Sequence, residues 1–299
     1  MRILVTGGTG FIGSNIVREL IARGDDVIIT GHDAEQKIPE FSGKMLQPSF
    51  LGLDWEALDA VDAVIHEAAI NETQSMDERE MLRANVDSPL ALFEHVVKGR
   101  CKRIVYASST AVYGDGPTPY TEDQELHPLT PYAVSKKKLE EEVTRFASAH
   151  AGVTAVGLRY CNVYGAGESH KGRRASMIYQ IAKQMQKGNP RLFKNGEQKR
   201  DYIYVKDVVT ANLRALKAKE SAVVNCGSGT ATSFNDLVAL LNAVMGVSRV
   251  PEYFENPIKS SYQEHTECDM SRAKEKIGFV PAFNIKKGIE DYFASGLLD

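Results

Sequence analysis

A tyrosine and a lysine stand four residues apart in Tyr132-Ala133-Val134-Ser135-Lys136, directly after Thr130-Pro131. A capping hydroxyl followed by proline at the first helical position opens a helix, and the spacing puts phenol and ammonium on one face of it. The adjacent cation and the positive end of the helix dipole both favour phenolate, so Tyr132 is expected to share its proton at neutral pH. That is general acid/base chemistry on a hydroxyl or a carbonyl. Upstream, Tyr106 to Gly114 carries the hydroxyl cluster Ser108-Ser109-Thr110, at the end of an expected strand and so on the ligand-binding edge of a sheet. A hydroxyl there is placed to hydrogen-bond the substrate oxygen on which Tyr132 acts.

Near the N-terminus, Thr6-Gly7-Gly8-Thr9-Gly10-Phe11-Ile12-Gly13 joins a strand to a helix. Gly7, Gly10 and Gly13 are spaced for a tight turn, a close approach of backbone to a pyrophosphate, and close helix packing on the sheet, which reads as a dinucleotide site. The end of the second strand discriminates between dinucleotides, because an acid there holds the ribose hydroxyls of NAD whereas NADP needs that acid absent and a cation nearby. In Asp26-Val27-Ile28-Ile29-Thr30-Gly31-His32 the acidic position falls on Gly31, and His32 and Lys37 follow. NADP is favoured, with NAD served by Asp33 as the alternative.

These groups need a scaffold, and the chain's rhythm supplies one. Short β-branched runs, Ile3 to Thr6, Val27 to Thr30, Ala63 to His66, Arg103 to Ser108 and Thr154 to Arg159, alternate with amphipathic stretches such as Phe11 to Arg23 and Val134 to His150. That alternation is the signature of βαβ units over a parallel sheet. After about Gly165 the segments become irregular, with helices expected at Ser176 to Lys187 and Phe234 to Met245 and a strand at Ala222 to Cys226 that returns to the sheet. We expect residues 1–165 to form the dinucleotide-binding domain, with the returning strand near 222–226, and residues 166–299 mostly a smaller, discontinuous lobe.

With 36 basic and 39 acidic side chains, a net charge of −3 and 43% hydrophobic residues in 299, the chain has the composition of a globular protein with no nucleic-acid footprint. No run approaches the roughly 20 apolar residues of a membrane span, and the glycines after Met1 to Thr6 interrupt any signal-peptide stretch, so a cytoplasmic location is expected. Cys101, Cys161, Cys226 and Cys268 are far apart without a C-x-x-C pair, which points to neither a disulfide framework nor a metal site.

Taken in order, the glycine turn, Ser108-Ser109-Thr110-Ala111-Val112-Tyr113-Gly114, Tyr132 to Lys136, Arg159-Tyr160-Cys161-Asn162-Val163-Tyr164-Gly165 and Arg200-Asp201-Tyr202-Ile203-Tyr204-Val205 resemble the extended short-chain dehydrogenase/reductases that act on nucleotide sugars. The likeness runs from the first strand to about Tyr292. It implies a Rossmann-type doubly wound α/β sheet holding NAD(P), a C-terminal lobe holding a sugar nucleotide, and a Ser/Tyr/Lys triad. The triad is Ser109, with Ser108 the second candidate, Tyr132 as acid/base, and Lys136 lowering its pKa and bonding the nicotinamide ribose. Cofactor contacts implied by the resemblance fall on Gly7, Gly10, Phe11, Ile12, Gly13, Gly31, His32, Lys37, Ala68, Asn85 and Val163 besides Tyr132 and Lys136. Relatives pair through two helices, here Ser88 to Lys98 and Val134 to His150, which implies a homodimer or higher homo-oligomer.

Within this family a dehydratase carries an acid after its active-site hydroxyl, and Ser108-Ser109-Thr110-Ala111 has none. The stretch from Asn162 through His170-Lys171-Gly172 to Ser176 resembles ADP-glyceromanno-heptose 6-epimerases, in which the lysine of the His-Lys-Gly triplet is a second acid/base. On that resemblance Lys171 is catalytic, although the residues alone also fit a basic loop or a diphosphate contact. The implied substrate set is Asn162, Lys171, Arg173, Phe193, Arg200 and Tyr262. Arg200 offers a guanidinium fork to phosphate, its alternative being a salt bridge to Asp201 or Glu197. The expectation is thus an NAD(P)-dependent nucleotide-sugar epimerase acting at C6 of a heptose. The rivals are a UDP-hexose 4-epimerase, a net oxidoreductase on a nucleotide sugar, and a non-catalytic dinucleotide sensor.

Overall fold

A computed structural model of the chain describes residues 1–31, 38–46, 56–58, 60–71, 77–255 and 263–298. Seven strands form one parallel sheet: β1 (Arg2–Thr6), β2 (Asp26–Thr30), β3 (Lys44–Leu46), β4 (Ala63–His66), β5 (Arg103–Ser109), β6 (Thr154–Tyr160) and β10 (Ala222–Cys226), in the order β10-β6-β5-β4-β1-β2-β3. Every pairing within it is parallel. The fold is α/β and Rossmann-like, as the alternation of the sequence requires.

Side chains of successive strand residues point to opposite faces, and both faces are covered. Ile3, Val5, Val105 and Ala107 belong to one buried cluster with Ile16 and Leu20 of α1 (Phe11–Ala22), while Leu4, Ile104 and Tyr106 belong to the other. The second face is closed by Phe93 and Val96 of α3 (Ser88–Lys98) and by Leu139 and Val143 of α4 (Pro131–Ala149). Burial on both sides explains why the strands read as unbroken apolar runs. A short α2 (Glu78–Leu82), capped by Asp77, runs through a π-helical turn at Arg83–Asp87 into α3.

Strands β1, β2 and β3 step outward one way and β4, β5, β6 and β10 the other, so the order reverses between β1 and β4. Crevices at such a reversal, beyond the carboxyl ends of the strands, are where α/β sheets bind ligands. Helix α4 begins as expected: the Thr130 side chain accepts from the Ala133 N–H at 3.2 Å and Pro131 holds the first position. It starts three residues before the periodic stretch that identified it, because the cap and not the apolar pattern sets the first turn.

The later chain builds a third core around two small sheets, β11-β9-β7 from β7 (Asn162–Tyr164), β9 (Lys199–Tyr204) and β11 (Ala231–Ser233), and β12-β8 from β8 (Arg191–Phe193) and β12 (Glu252–Phe254). Helices α5 (Met177–Lys187), α7 (Phe234–Met245) and α9 (Ile285–Ala294) complete it, whereas α6 (Val205–Ala215) gives it Val205 but turns Val208, Val209 and Ala211 to the first cluster of the central sheet, which α8 (Ser271–Ile277) joins through Ala273 and Ile277. Among the described residues no helix is long and apolar enough to cross a membrane.

Candidate active site

The loop after β1 and the loop after β4 meet at the reversal of strand order. Gly7 has φ 65°, and a Cβ there would stand 2.9 Å from the Ala68 backbone nitrogen; a Cβ on Gly13 would stand 2.2 Å from the Gly7 carbonyl oxygen. Both positions therefore exclude any larger residue. Gly10 caps α1 without a side chain over the helix end, which leaves the first-turn N–H groups and the positive end of the dipole for an anion. A groove of about 560 Å³ runs from here past Gly31, His66, Glu67, Ala68 and Ile70. His66 Nδ1 and the Thr6 hydroxyl share a hydrogen bond at 2.7 Å, and among the described residues the buried Nε2 has no hydrogen-bond partner. Burial and Lys136 push His66 down to about 3, so it is neutral. A capless helix end, glycines that nothing larger can replace and an unsatisfied buried donor or acceptor on the wall all fit a dinucleotide.

Gly31 closes β2 with no side chain, and a Cβ there would meet the Thr9 hydroxyl at 2.3 Å. Thr9 thus fills the space that a side chain at the end of β2 would need. His32 and Lys37 lie outside the described residues, as does Tyr262. Ala68 is placed by its N–H, which donates to Thr6 Oγ1 at 3.3 Å.

Next to the groove, a cavity of about 370 Å³ is bordered by Ile12, Glu67, Ser109, Tyr132, Lys136, Asn162, Val163 and Lys171. Lys136, 1% exposed, lies on the buried face of α4, one turn beyond Tyr132. Its ammonium donates to the Ala107 carbonyl at 2.8 Å and sits 5.8 Å from the centre of the Tyr132 ring. Burial brings it down to about 8, against the pull of Glu67 and Glu140.

Tyr132 corrects an expectation. Lys136 and the helix dipole do not bring its pKa below the ordinary tyrosine value; burial pushes the phenol up to about 12, a hydrogen bond with Ser109 opposes the rise, and the Glu67 charge adds to it. The cause is burial: the phenol lies in a poorly solvated cavity, and the Lys136 ammonium, which donates to the Ala107 carbonyl, does not offset it. Tyr132 thus holds its proton at neutral pH.

Between the two candidate serines the geometry discriminates. Ser108 Oγ donates to Glu140 Oε1 at 2.5 Å inside a buried network with Arg159, whereas Ser109 meets Tyr132 at the cavity wall. Ser109 also caps the short 3₁₀ turn Thr110–Tyr113 by accepting from Ala111 N–H at 3.2 Å, which fixes its rotamer.

Lys171 stands on the 3₁₀ turn Ser169–Arg174, its ammonium 5.2 Å from the centre of the Phe11 ring. Burial lowers its pKa, Glu168 raises it and Arg174 lowers it. Arg174, not Arg173, borders the cavity, and it donates to Asn71 Oδ1 at 2.8 Å across the cavity mouth. Arg173 and Arg174 are both exposed, so it is the lining of the cavity and the bond to Asn71 that separate them. Asn162 borders the cavity while its amide donates to the Asp201 carbonyl at 3.0 Å and to Thr266 Oγ1 at 3.3 Å.

Asn85 turns its amide into the protein: it bonds both the N–H and the carbonyl of Ile70 at 2.8 Å and reaches Ser135 at 3.1 Å, so it shapes the groove wall from behind. Phe193 packs on Phe254 in β12 with ring centres 4.6 Å apart, and neither it nor Arg200 borders the 370 Å³ cavity. Arg200 lies over Phe234 at 5.9 Å and donates to its neighbour's carbonyl at 2.8 Å. Its alternative partner Asp201 is taken, since that carboxylate accepts from Ser228, Gly229 and Cys268.

Two acidic residues escaped the sequence reading. Glu67 borders both cavities, accepts from Tyr160 OH at 2.7 Å, and is pushed up to about 7 by burial against the effects of that hydrogen bond and Lys136. Its position one residue past β4, on the ligand edge, was the available signal. Glu168, fully buried, had none, since only the fold shows what it holds. A further grouping, Cys161, Asp201 and Cys268, joins residues that spacing kept apart; all four cysteines are free and the Asp201 oxygens are already satisfied by four donors.

Residues 3–227 match the model of the NAD dependent epimerase/dehydratase family. The chain is 37% identical to an ADP-L-glycero-D-manno-heptose-6-epimerase of Alkalilimnicola ehrlichii, over 97% of this chain and 96% of that one. Among solved structures it is similar to the Helicobacter pylori ADP-L-glycero-D-manno-heptose-6-epimerase, with TM-score 0.89, 30% identity, and coverage of 98% and 95%. It is also similar to a UDP-glucose 4-epimerase of Thermotoga maritima with UDP-glucose, with TM-score 0.86, 31% identity, and coverage of 99% and 100%.

Proposed function

The chain belongs to the NAD dependent epimerase/dehydratase family, and from that membership we propose that it interconverts the C6 epimers of an ADP-glycero-manno-heptose with tightly held NADP. The observation that carries the reading is Lys171, a second proton-handling group on a different element, bordering the same cavity as Ser109, Tyr132 and Lys136. When bound, the dinucleotide supplies a reversible hydride acceptor, so oxidation at one face and reduction at the other leave no net redox change. The residues move the protons. Lys171, whose pKa burial lowers, takes the hydroxyl proton of one epimer, and Tyr132, which holds its proton, gives it to the keto oxygen on the return. Ser109 bonds the reacting oxygen, and Lys136 fixes the cofactor ribose and keeps a positive charge beside the phenol. The reverse reaction exchanges the two roles.

Two bases on separate elements suit an exocyclic carbon. Rotation about one bond turns the other face of a C6 ketone to the nicotinamide, while the oxygen moves from one base to the other. A ring carbon would require the whole sugar to turn over. The likeness to a UDP-glucose 4-epimerase supports a second reading, C4 epimerisation of a UDP-hexose, in which Lys171 only binds. Gly31, with Thr9 filling the space beside it, supports NADP over NAD.

The dinucleotide is assigned to residues 1–165 with the strand near 222–226, and the sugar nucleotide mostly to residues 166–299, with Asn162, Arg174 and Arg200 offered to it. Pairing of two copies through α3 and α4, and a cytoplasmic location, belong to the same proposal. An NMR time course with ADP-heptose and, separately, UDP-glucose tests it. Epimer from the heptose without accumulation of NADPH is expected. Conversion of UDP-glucose alone would make the chain a 4-epimerase, and stoichiometric NADPH a dehydrogenase.

A further inference from the structure

The carboxyl group of Glu168 is completely buried and bonds to both ends of one loop. Oε1 accepts from the Gly165 N–H at 3.0 Å, where β7 ends, and from the Ser176 hydroxyl at 3.0 Å, where α5 begins. Oε2 accepts from the Ser176 N–H. The Glu168 carbonyl accepts from the Lys171 N–H at 2.9 Å, which starts the turn that carries that lysine. From outside, Asn15 of α1 donates to the Ala166 carbonyl at 3.0 Å. One side chain thus closes the segment from Gly165 to Ser176 into a loop, and the only long apolar-stemmed cation of that loop that lies against the Phe11 ring is Lys171.

We propose that Glu168 is the positioning residue for the second base: its buried carboxylate fixes the loop that aims Lys171 into the cavity and supplies the negative charge against which Lys171 gains and loses its proton. This rests on the two-base reading above. A carboxylate is costly to bury unless its lone pairs are satisfied. Here three protein donors satisfy them, and each is a point at which the loop is tied down, so the burial cost is offset by contacts that also fix the loop's shape. A rigid supporting shell of this kind is what holds a catalytic group within the fraction of an ångström that proton transfer needs.

Other groups bear on the pair. Arg174, on the same turn, opposes the protonated form of Lys171, and Glu168 favours it. Tyr164 of β7 and Tyr292 of α9 face Glu168, both held well above the ordinary phenol range and uncharged. Across the cavity stand Glu67, Tyr132 and Lys136. Removing the Glu168 charge without changing its shape should therefore move the Lys171 titration toward lower pH. For the epimer whose proton Lys171 removes, the rise of rate with pH then begins earlier; for the other epimer, the fall with pH does.

The test compares Glu168→Gln, Lys171→Ala and the double variant in the cofactor-loaded enzyme, with kcat, KM and pH profile measured from each epimer. Glu168→Gln is expected to lower kcat at least tenfold with KM changed less, to shift the Lys171 limb to lower pH, and to add nothing in the Lys171→Ala background. If Glu168→Gln fails to fold, Ser176→Ala removes one of the three ties, the hydroxyl, while its N–H still reaches Oε2, and should give a smaller loss of kcat, again absent without Lys171. A slow Lys171→Ala variant beside a Glu168→Gln variant of native rate and pH profile would overturn this inference alone. So would a Glu168→Gln loss that persists undiminished in the double variant, which is the mark of general structural damage. A native rate in Lys171→Ala would overturn the two-base reading and this inference with it.

Discussion

The network behind the cavity allows a stability prediction with a sign and a size. Glu140 and Arg159 meet in a buried pair, each side chain 5% exposed, with Nη2 to Oε2 at 2.7 Å and Nε to Oε1 at 2.9 Å. Ser108 donates to the same carboxylate, and Arg159 donates to Tyr113 OH, which donates in turn to Asn225. Glu140→Met keeps the volume, removes the acceptor and strands the guanidinium without its counter-charge. Removing one partner of a buried pair costs about 3–5 kcal/mol. One kcal/mol is worth about 2 °C in a chain of this size, so the melting temperature should fall by about 6–10 °C. Glu140→Met/Arg159→Met removes both charges, and an apolar pair of similar volume is often no less stable than the ions it replaces. Thermal unfolding of the holoenzyme, followed by circular dichroism at pH 7, should therefore show the double variant melting above the Glu140→Met single variant. A single-variant loss under about 1 kcal/mol, or a double-variant loss equal to the two single losses together, would refute the claim that this pair is desolvated.

Further outcomes follow from the same geometry. Glu67 has a folded pKa of about 7, above its unfolded value of 4.5, so the native state binds more protons between these values and stability falls as pH rises through them. Glu67→Gln, which still accepts from Tyr160, should melt higher than the native enzyme at pH 8 and level with it at pH 4, and no pH dependence of that difference would contradict the buried position of the carboxyl. Tyr132→Phe should keep the cofactor bound and lower turnover by about 10² to 10⁴, the range of a general acid/base; a near-native rate would remove Tyr132 from the chemistry. Gly13→Ala places a Cβ against the Gly7 carbonyl and should abolish dinucleotide binding, measured by fluorescence titration, whereas retained affinity would show that the turn has room to shift.

How far the sequence could be read depended on whether a feature was local. The strand Ala63–His66 and the helix Phe234–Met245 appear with the limits that their apolar runs and caps give them, because each is set by its own residues. The helix Val205–Ala215 was not legible: it follows β9 with no capping side chain, and Val205, Val208 and Val209 are β-branched, so nothing local marks the change from strand to helix. Ser109, Tyr132 and Lys136 were legible as a set, since they sit on one strand end and one helix face. The raised pKa of Tyr132 was not, because desolvation belongs to the assembled cavity. Nor was the choice of Arg174 over Arg173, which a single step around a 3₁₀ turn decides.

The most direct test follows a label at the reacting carbon. ADP-heptose carrying deuterium at C6 should give the epimer with deuterium still at C6 in ordinary water, without build-up of reduced cofactor, because hydride leaves and returns within one cavity. Loss of the label to solvent would mean epimerisation by proton abstraction from carbon, and would contradict transient oxidation by the bound dinucleotide.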